Sequence, residues 1–335
     1  MERKRLRSIG ELAKLAGVSK STVSRVLNNS PLIGEETSAR IREIARQYDF
    51  KLNIPAQRLS LGSSRTIAFV MYPHQHTCFS VCDLFSMELM GGLSRGLFEY
   101  QYDMLLVQVD PDQSRWATHY LDTGKVDGFV VSTSLHKQRH AEELLGIGAP
   151  FVAWGRSGGR YCSVCGDDHR GGYIATSHLI SIGRKRIGFI GGPPEEIEVK
   201  DRYQGYIDAL NEAGLEPDPS LVWYGDFSDA SGATGMDHIL RQNRSVDAVF
   251  VNSDLMALST IAYLRKHGVT VPQDVAVVGY DDLSVASRSN PALTTVSQNM
   301  SLAGKILARD LITFLHDRVV TESVVPVELV IRESA

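Results

Sequence analysis

Leu12-Ala13-Lys14-Leu15-Ala16-Gly17-Val18-Ser19-Lys20-Ser21-Thr22-Val23-Ser24-Arg25-Val26-Leu27-Asn28 carries two helical periodicities separated by one glycine. Ile9, Leu12, Ala13 and Ala16 recur at i, i+3, i+4 and i+7, the spacing of a single helical face. Gly17 predicts the end of that helix, because glycine enters the left-handed cap conformation without a steric penalty. Ser19 then caps a second helix to about Asn28, with Val23, Val26 and Leu27 facing inward. Upstream, Ser8-Ile9-Gly10-Glu11 fits a capping box, a hydroxyl followed three residues later by a carboxylate. Downstream, Asn28-Asn29-Ser30-Pro31 makes a turn and Gly34 precedes a third helix. Glu35 and Glu36 suit its positive end, and Ile41, Ile44, Ala45 and Tyr48 form its inner face. Three short helices around a small core, with a glycine turn between the first two, describe a helix-turn-helix unit.

The second helix segregates its polar residues. Lys20, Ser21, Ser24, Arg25 and Asn28 lie opposite the valines, and no carboxylate is among them. Such a face offers donors and cations to base edges and phosphates. The charge distribution agrees. The first 60 residues hold 12 Lys/Arg against 6 Asp/Glu, and the remainder holds 23 against 33, so a +6 head joins a −10 body. A basic head on an acidic body predicts that the head meets a polyanion and the body does not. A solvated basic terminus is the plainer alternative.

Beyond residue 64, short β-rich runs alternate with helical patterns. Residues 66–71, 104–109 and 128–131 read as strands, with a helix over about 85–100. The order recurs, with strands at 186–190, 248–251 and 275–278 and a helix over about 202–213. Val126-Asp127-Gly128-Phe129-Val130 and Val246-Asp247-Ala248-Val249-Phe250 nearly repeat one another. This alternation predicts an α/β body of two doubly wound parallel-sheet lobes behind a small all-α head. Strand C-terminal ends then surround a cleft, the usual ligand position in such sheets.

At 335 residues and 43% apolar content the chain holds two or three compact units. No run reaches the roughly 18 apolar residues of a membrane span, and no apolar stretch follows the basic Met1–Arg7 as it would in a signal peptide. A cytoplasmic protein is expected. No G-x-x-x-x-G-K-S/T loop, G-x-G-x-x-G after the first strand or G-x-S-x-G elbow invites catalysis, and Gly191-Gly192-Pro193-Pro194 reads as a turn. Cys162-x-x-Cys165, and Cys78-x-x-x-Cys82 behind His74 and His76, could pair around a metal or a redox bond. Their separation lacks the spacing of a four-ligand zinc site, so ordinary reduced thiols are expected, with no metal and no cofactor.

The stretch from Leu12 to Asn28 resembles, at nearly every position, the DNA-reading helices of the lac/galactose repressor (LacI/GalR) family. By that resemblance Lys20, Ser21 and Arg25 read bases, while Ser19, Thr22, Ser24 and Asn28 hold phosphates. A hinge helix that folds on DNA is implied at Asn53-Ile54-Pro55-Ala56-Gln57-Arg58-Leu59-Ser60, with Asn53 as cap and Leu59 as a minor-groove wedge. Leu52 departs from the proline usual before the Asn, and Pro55 sits in the first turn, where proline is tolerated. The resemblance continues through Gly171, His178-Leu179, Gly183, Arg186-Ile187, Gly205, Ala209-Leu210, Gly279-Tyr280-Asp281-Asp282 and Pro291-x-Leu293-Thr294-Thr295-Val296.

It implies a head over 1–50, a hinge over 51–63 and a periplasmic-binding-protein-like body over 64–335. Its first lobe is expected at about 64–163 plus 292–322 and its second at about 164–291 plus 323–335. The crossings would then lie near 162–165, 290–295 and 320–325. Arg202 and Asp281 fall where the family grips its effector, and Phe227 where an aromatic ring stacks on the ligand. Ser253 stands where Asn is common, before the matching Asp254. Asp83 and Arg156 are further candidates. Taken singly, each has a plainer reading, Arg202 as a surface ion pair, Asp281 as a turn residue and Phe227 as a core aromatic.

The implied protein is a homodimeric (alternatively tetrameric), effector-responsive repressor of a palindromic operator. A sugar effector is favoured, with a purine or nucleoside as the alternative. A sugar-processing enzyme with a fused DNA-binding head is the distant rival.

Overall fold

The computed structural model describes residues 6, 8–27, 30–50, 62–71, 84–109, 115–132, 138–242 and 245–335. They form two compact units, one up to Ser64 and one from Arg65 onward.

In the first unit the helices are α1 (Ile9–Ala16), α2 (Lys20–Leu27) and α3 (Glu35–Gln47). The hydroxyl of Ser8 accepts from the Glu11 N–H at 3.2 Å, starting α1. Gly17 ends it at φ 63°, and the Val18 N–H reaches back to the Ala13 carbonyl at 3.0 Å. Leu6, Leu12, Ala13, Ala16, Val23, Val26 and Ile41 make the core. It holds the three helices together, since isolated helices this short are marginal in water.

The second unit begins with β1 (Thr66–Met71), α4 (Leu84–Glu99), β2 (Asp103–Gln108), α5 (Trp116–Asp122), β3 (Gly128–Ser132), α6 (Gln138–Gly146), β4 (Phe151–Trp154) and β5 (Cys162–Gly166). It passes to α7 (Asp168–Ser181), β6 (Ile187–Gly191), α8 (Ile197–Glu212), β7 (Val222–Tyr224), α9 (Asp229–Gln242), β8 (Ala248–Val251), α10 (Asp254–Lys266), β9 (Ala276–Asp281) and β10 (Thr294–Ser297). The last elements are α11 (Met300–Asp317), β11 (Glu322–Val325) and β12 (Glu328–Val330).

One sheet runs β11-β5-β4-β3-β1-β2 and the other β12-β10-β9-β8-β6-β7, so both lobes share one strand order. Every pairing is parallel except β12 on β10. The repeated Val-Asp stretch opens β3 and β8, the corresponding strands. Asp127 accepts from the Arg65 N–H at 3.0 Å. Asp247 accepts from those of Lys185 and Arg186 at 2.9 and 3.0 Å. In both lobes the aspartate therefore ties down the chain entering the neighbouring strand.

Residues alternate between the two faces of each sheet. Ile67, Phe69 and Met71 join the core under α4 and α11, while Ala68 and Val70 join the one under α5 and α6. Strands buried on both faces show apolar runs in place of a polar alternation.

The chain changes lobes three times, after β5, β10 and β11. Three assignments from sequence therefore move. β5 stays in the first sheet to Gly166, β10, over 294–297, belongs to the second sheet, and β11, over 322–325, to the first. The turn at Pro291 lies within the second lobe, and the chain leaves only after the C-terminal end of β10. α8 also starts at Ile197, well before residue 202, because Val199 is fully buried in its first turn.

Glycines bring α7 and α8 into backbone contact. A Cβ on Gly172 would lie 2.0 Å from the Arg202 carbonyl oxygen, and one on Gly205 2.1 Å from that of His169. Gly172→Ala is expected to cost about 1–3 kcal/mol through overpacking. A denaturant titration with unchanged stability would show that the helices separate freely.

Candidate functional site

On the head, Ser19, Lys20, Ser21 and Arg25 are exposed and Thr22 and Ser24 half-buried, while Val23 and Val26 face the core. The Ser19 hydroxyl accepts from the Thr22 N–H at 3.1 Å and lies 2.7 and 2.8 Å from the Ser21 and Thr22 hydroxyls. A hydroxyl cluster at a helix N-terminus suits a phosphate. Lys20 runs across α1, its Cε 3.0 Å from where a Cβ on Gly10 would sit. Asn28, Asn53, Leu59 and Asp83 lie outside the described residues, as do His74, His76, Cys78 and Cys82.

In the body, Arg202, Asp281, Ser253, Asp254 and Phe227 lie at the C-terminal edge of the second-lobe sheet. Asp168 opens α7 just after the first crossing, where Asp167 caps the helix by accepting from the Arg170 N–H at 3.1 Å. α8 delivers Arg202 opposite. Its Nε donates to Asp168 Oδ1 at 2.8 Å and its Nη1 to the Asn252 carbonyl at 2.8 Å. The guanidinium lies 3.7 Å from the centre of the Tyr280 ring, whose hydroxyl also donates to Asp168 at 3.3 Å. Gly171 leaves room for that ring, since its Cβ would fall 2.3 Å from the Tyr280 oxygen. Arg202 is 6% and Asp168 3% exposed, so this is a buried ion pair and not a surface one. Burial pushes the Asp168 carboxyl up to about 6, with Arg202 opposing the rise. Burial disfavours the Arg202 charge too, but Asp168, Tyr280 and Asp281 outweigh it and hold the guanidinium firmly protonated.

Asp281 ends β9 at φ 113°, and Asp282 follows at φ 57°. Such conformations cost about 1–3 kcal/mol each and persist only where the surroundings enforce them. Gln298, at the second crossing, donates to Asp281 Oδ1 at 2.7 Å. Arg332 pairs with Asp282 at 2.6 Å. Asp254 accepts from the Thr295 hydroxyl at 2.5 Å and from the Leu283 N–H at 2.7 Å. Both Asp254 oxygens are thus engaged in shaping the turn that presents Asp281. Burial and the neighbouring Asp281 charge raise the pKa of Asp254 well above the usual carboxylate range.

Ser253 caps α10, accepting from the Met256 N–H at 3.3 Å. Phe227, at φ 63°, lays its ring where a Cβ on Gly192 would otherwise project. Arg156, from the first lobe, pairs with Asp201 of α8 at 3.2 Å, and Glu88 of α4 accepts from the Ser284 N–H at 2.7 Å. Two polar contacts thus span the lobes.

Sequence reasoning missed Asp168, Tyr280, Gln298 and Asn252 as site residues. The signal available was position, since each lies beside a strand's C-terminal end or a lobe crossing. Cys162 and Cys165 are both buried on β5, where residues three apart face opposite sides of the sheet. Burial pushes the Cys165 thiol up to about 11, which suppresses its thiolate. Among the described residues no group of three His, Cys, Asp or Glu is placed to hold a metal, and no helix is long and apolar enough to cross a membrane.

Residues 8–53 match the bacterial regulatory proteins of the lacI family, and residues 176–335 the periplasmic binding protein-like domain. The chain is 36% identical to the HTH-type transcriptional regulator CelR of Thermobifida fusca, across 99% of this chain and 97% of CelR. It is 30% identical to the HTH-type transcriptional repressor PurR of Actinobacillus pleuropneumoniae serotype 3, across 89% of this chain and 88% of PurR. A solved CelR–cellobiose complex superposes with a TM-score of 0.74 at 32% identity, covering 98% of this chain and all of that one. A lac repressor dimer on its operator shares the fold, with a TM-score of 0.80 at 23% identity over 98% and 99% of the two chains. With over a third of its residues shared nearly end to end with one such regulator, the chain belongs to the LacI family of bacterial transcriptional regulators.

Proposed function

We propose that the protein acts in the cytoplasm as a homodimeric repressor of a palindromic operator, switched by a sugar held between the lobes of its body. The observation that carries this reading is the convergence of Arg202, Asp281 and Phe227 on the C-terminal edge of the second-lobe sheet. A carboxylate accepts from vicinal hydroxyls, a guanidinium donates in a fork, and an aromatic face covers a sugar's C–H side. The CelR–cellobiose likeness favours a saccharide, and cellobiose is the first ligand to test. Likeness to PurR supports a second reading, a purine effector. Melting curves of the full chain with cellobiose and other saccharides, and with hypoxanthine and guanine, decide between them, because a ligand specific to the folded state raises the melting temperature. A rise with purines alone would overturn the sugar reading.

Regulation requires the effector to bind the DNA-competent and DNA-incompetent arrangements with different strength. In this proposal Asn53 caps a hinge helix and Leu59 wedges the minor groove, while Asp83 and Arg156 border the ligand. On the head, Lys20, Ser21 and Arg25 read bases, and Ser19, Thr22, Ser24 and Asn28 hold phosphates. Arg25→Ala is then expected to cost about 1–3 kcal/mol on the operator and much less on random DNA. Equal losses on both, measured by fluorescence anisotropy, would reduce Arg25 to a phosphate contact.

A further inference from the structure

Asn252 follows β8 and is fully buried, yet neither its amide nitrogen nor its amide oxygen has a hydrogen-bond partner. Its backbone is fully engaged. The N–H donates to the Ile190 carbonyl at 2.9 Å and the carbonyl accepts from Arg202. The other orphaned side chains among the described residues, His178, Arg184, Arg186 and Thr321, each leave a single atom unpaired. A buried polar group without a partner is unfavourable and calls for an explanation such as a ligand or an ordered water.

Strand alternation locates the amide. Along β8, Val249 and Val251 join the core under α9 and α10, whereas Ala248 and Phe250 join the core on the α7 and α8 side, with Tyr280. Continuing that alternation places the side chain of residue 252 on the face where Arg202 stacks over Tyr280. The neighbouring polar groups Asp168, Arg202, Asp281 and Gln298 all have partners within the protein. Asn252 is the member of this cluster whose hydrogen-bonding capacity is unused.

We propose that the Asn252 amide binds the effector directly and helps select it, its Oδ1 accepting from one hydroxyl and its Nδ2 donating to the next on a polyhydroxylated ligand. The assignment rests on the sugar reading above. An amide presents a donor beside an acceptor, which matches adjacent hydroxyls that can each serve in either role. The orphan state has a consequence. Removing the amide relieves a burial penalty in the free protein while deleting contacts in the complex, so stability and affinity move in opposite directions.

The test uses full-length wild type, Asn252→Ala and Asn252→Ser, with cellobiose and a saccharide panel, and with hypoxanthine and guanine, followed by calorimetry and thermal melting. Wild type is expected to bind a saccharide. Both variants should then bind it about 10-fold to 100-fold more weakly, in line with the loss of one or two hydrogen bonds. Their ligand-free melting temperatures should equal or exceed that of wild type. Wild type that binds no saccharide sinks the sugar reading and this inference with it. A saccharide bound equally well by wild type and by whichever variant folds overturns the role of Asn252 alone. Variants that melt lower when ligand-free and keep their affinity show an amide serving the free fold, through a buried water, and likewise overturn it.

Discussion

Arg202→Ala is expected to cost about 3–5 kcal/mol of folding stability at pH 7, because it leaves Asp168 buried without its cation. The same change removes the guanidinium stacked on Tyr280 and the donor to the Asn252 carbonyl. Effector binding should fall below detection. The penalty carries a pH signature. Asp168 titrates at about 6 in the fold against its ordinary 3.8, so between those values the folded state binds more protons than the unfolded. Stability arising from this group therefore falls as pH rises through that window. Without Arg202 the carboxyl is driven higher still, and the window extends upward. The variant's deficit relative to wild type should shrink as pH is lowered from 7 to 5. Denaturant titrations at both pH values check this, and a deficit that grows on acidification would mean that Asp168 is not the group left uncompensated. Arg202→Lys retains a charge but not the fork, and should recover part of the stability and little of the ligand affinity.

Asp281→Asn should separate ligand binding from folding. Asparagine has the shape of aspartate and meets the same backbone cost at φ 113°, and its side-chain oxygen still accepts from Gln298. Loss of the charge also relieves Asp254, whose pKa the Asp281 carboxylate helps to raise. Stability is expected to hold or improve. Ligand affinity should fall by about 1.5–3 kcal/mol for each charge-assisted bond lost, at least tenfold. Operator affinity without ligand should match wild type, giving a regulator that no longer responds at ordinary effector concentrations. Operator titrations with and without cellobiose, on both proteins, provide the measurement. A variant that responds at wild-type concentrations would show Asp281 to be only a turn residue.

The head was readable from the sequence because its information is local. Ser8 and Gly17 act within one turn of where they stand, and the carboxylate-free face of α2 follows from helical spacing alone. The alternation of strands and helices was also local, as was the Val-Asp repeat that opens β3 and β8. The lobe boundaries were less so. An apolar run such as 294–297 reads the same whichever sheet it joins, and the strand order assigned it to the second lobe.

The site divides along the same line. Arg202 and Asp281 could be named from the resemblance, but nothing near Arg202 in the chain announces Asp168, 34 residues earlier, or Tyr280, far beyond it. Parallel pairing aligns the C-terminal ends of β6, β8 and β9, and glycine contacts press α7 onto α8, so these residues meet at one edge. Whether a polar residue there is satisfied or orphaned depends on its neighbours. By sequence, Asp254, Ser253 and Asn252 are three adjacent polar residues. In the fold the first ties down a turn, the second caps a helix, and the third alone is left with an unpartnered amide. Hydrogen-bond satisfaction is a property of the packed surroundings, and only the tertiary structure supplies them.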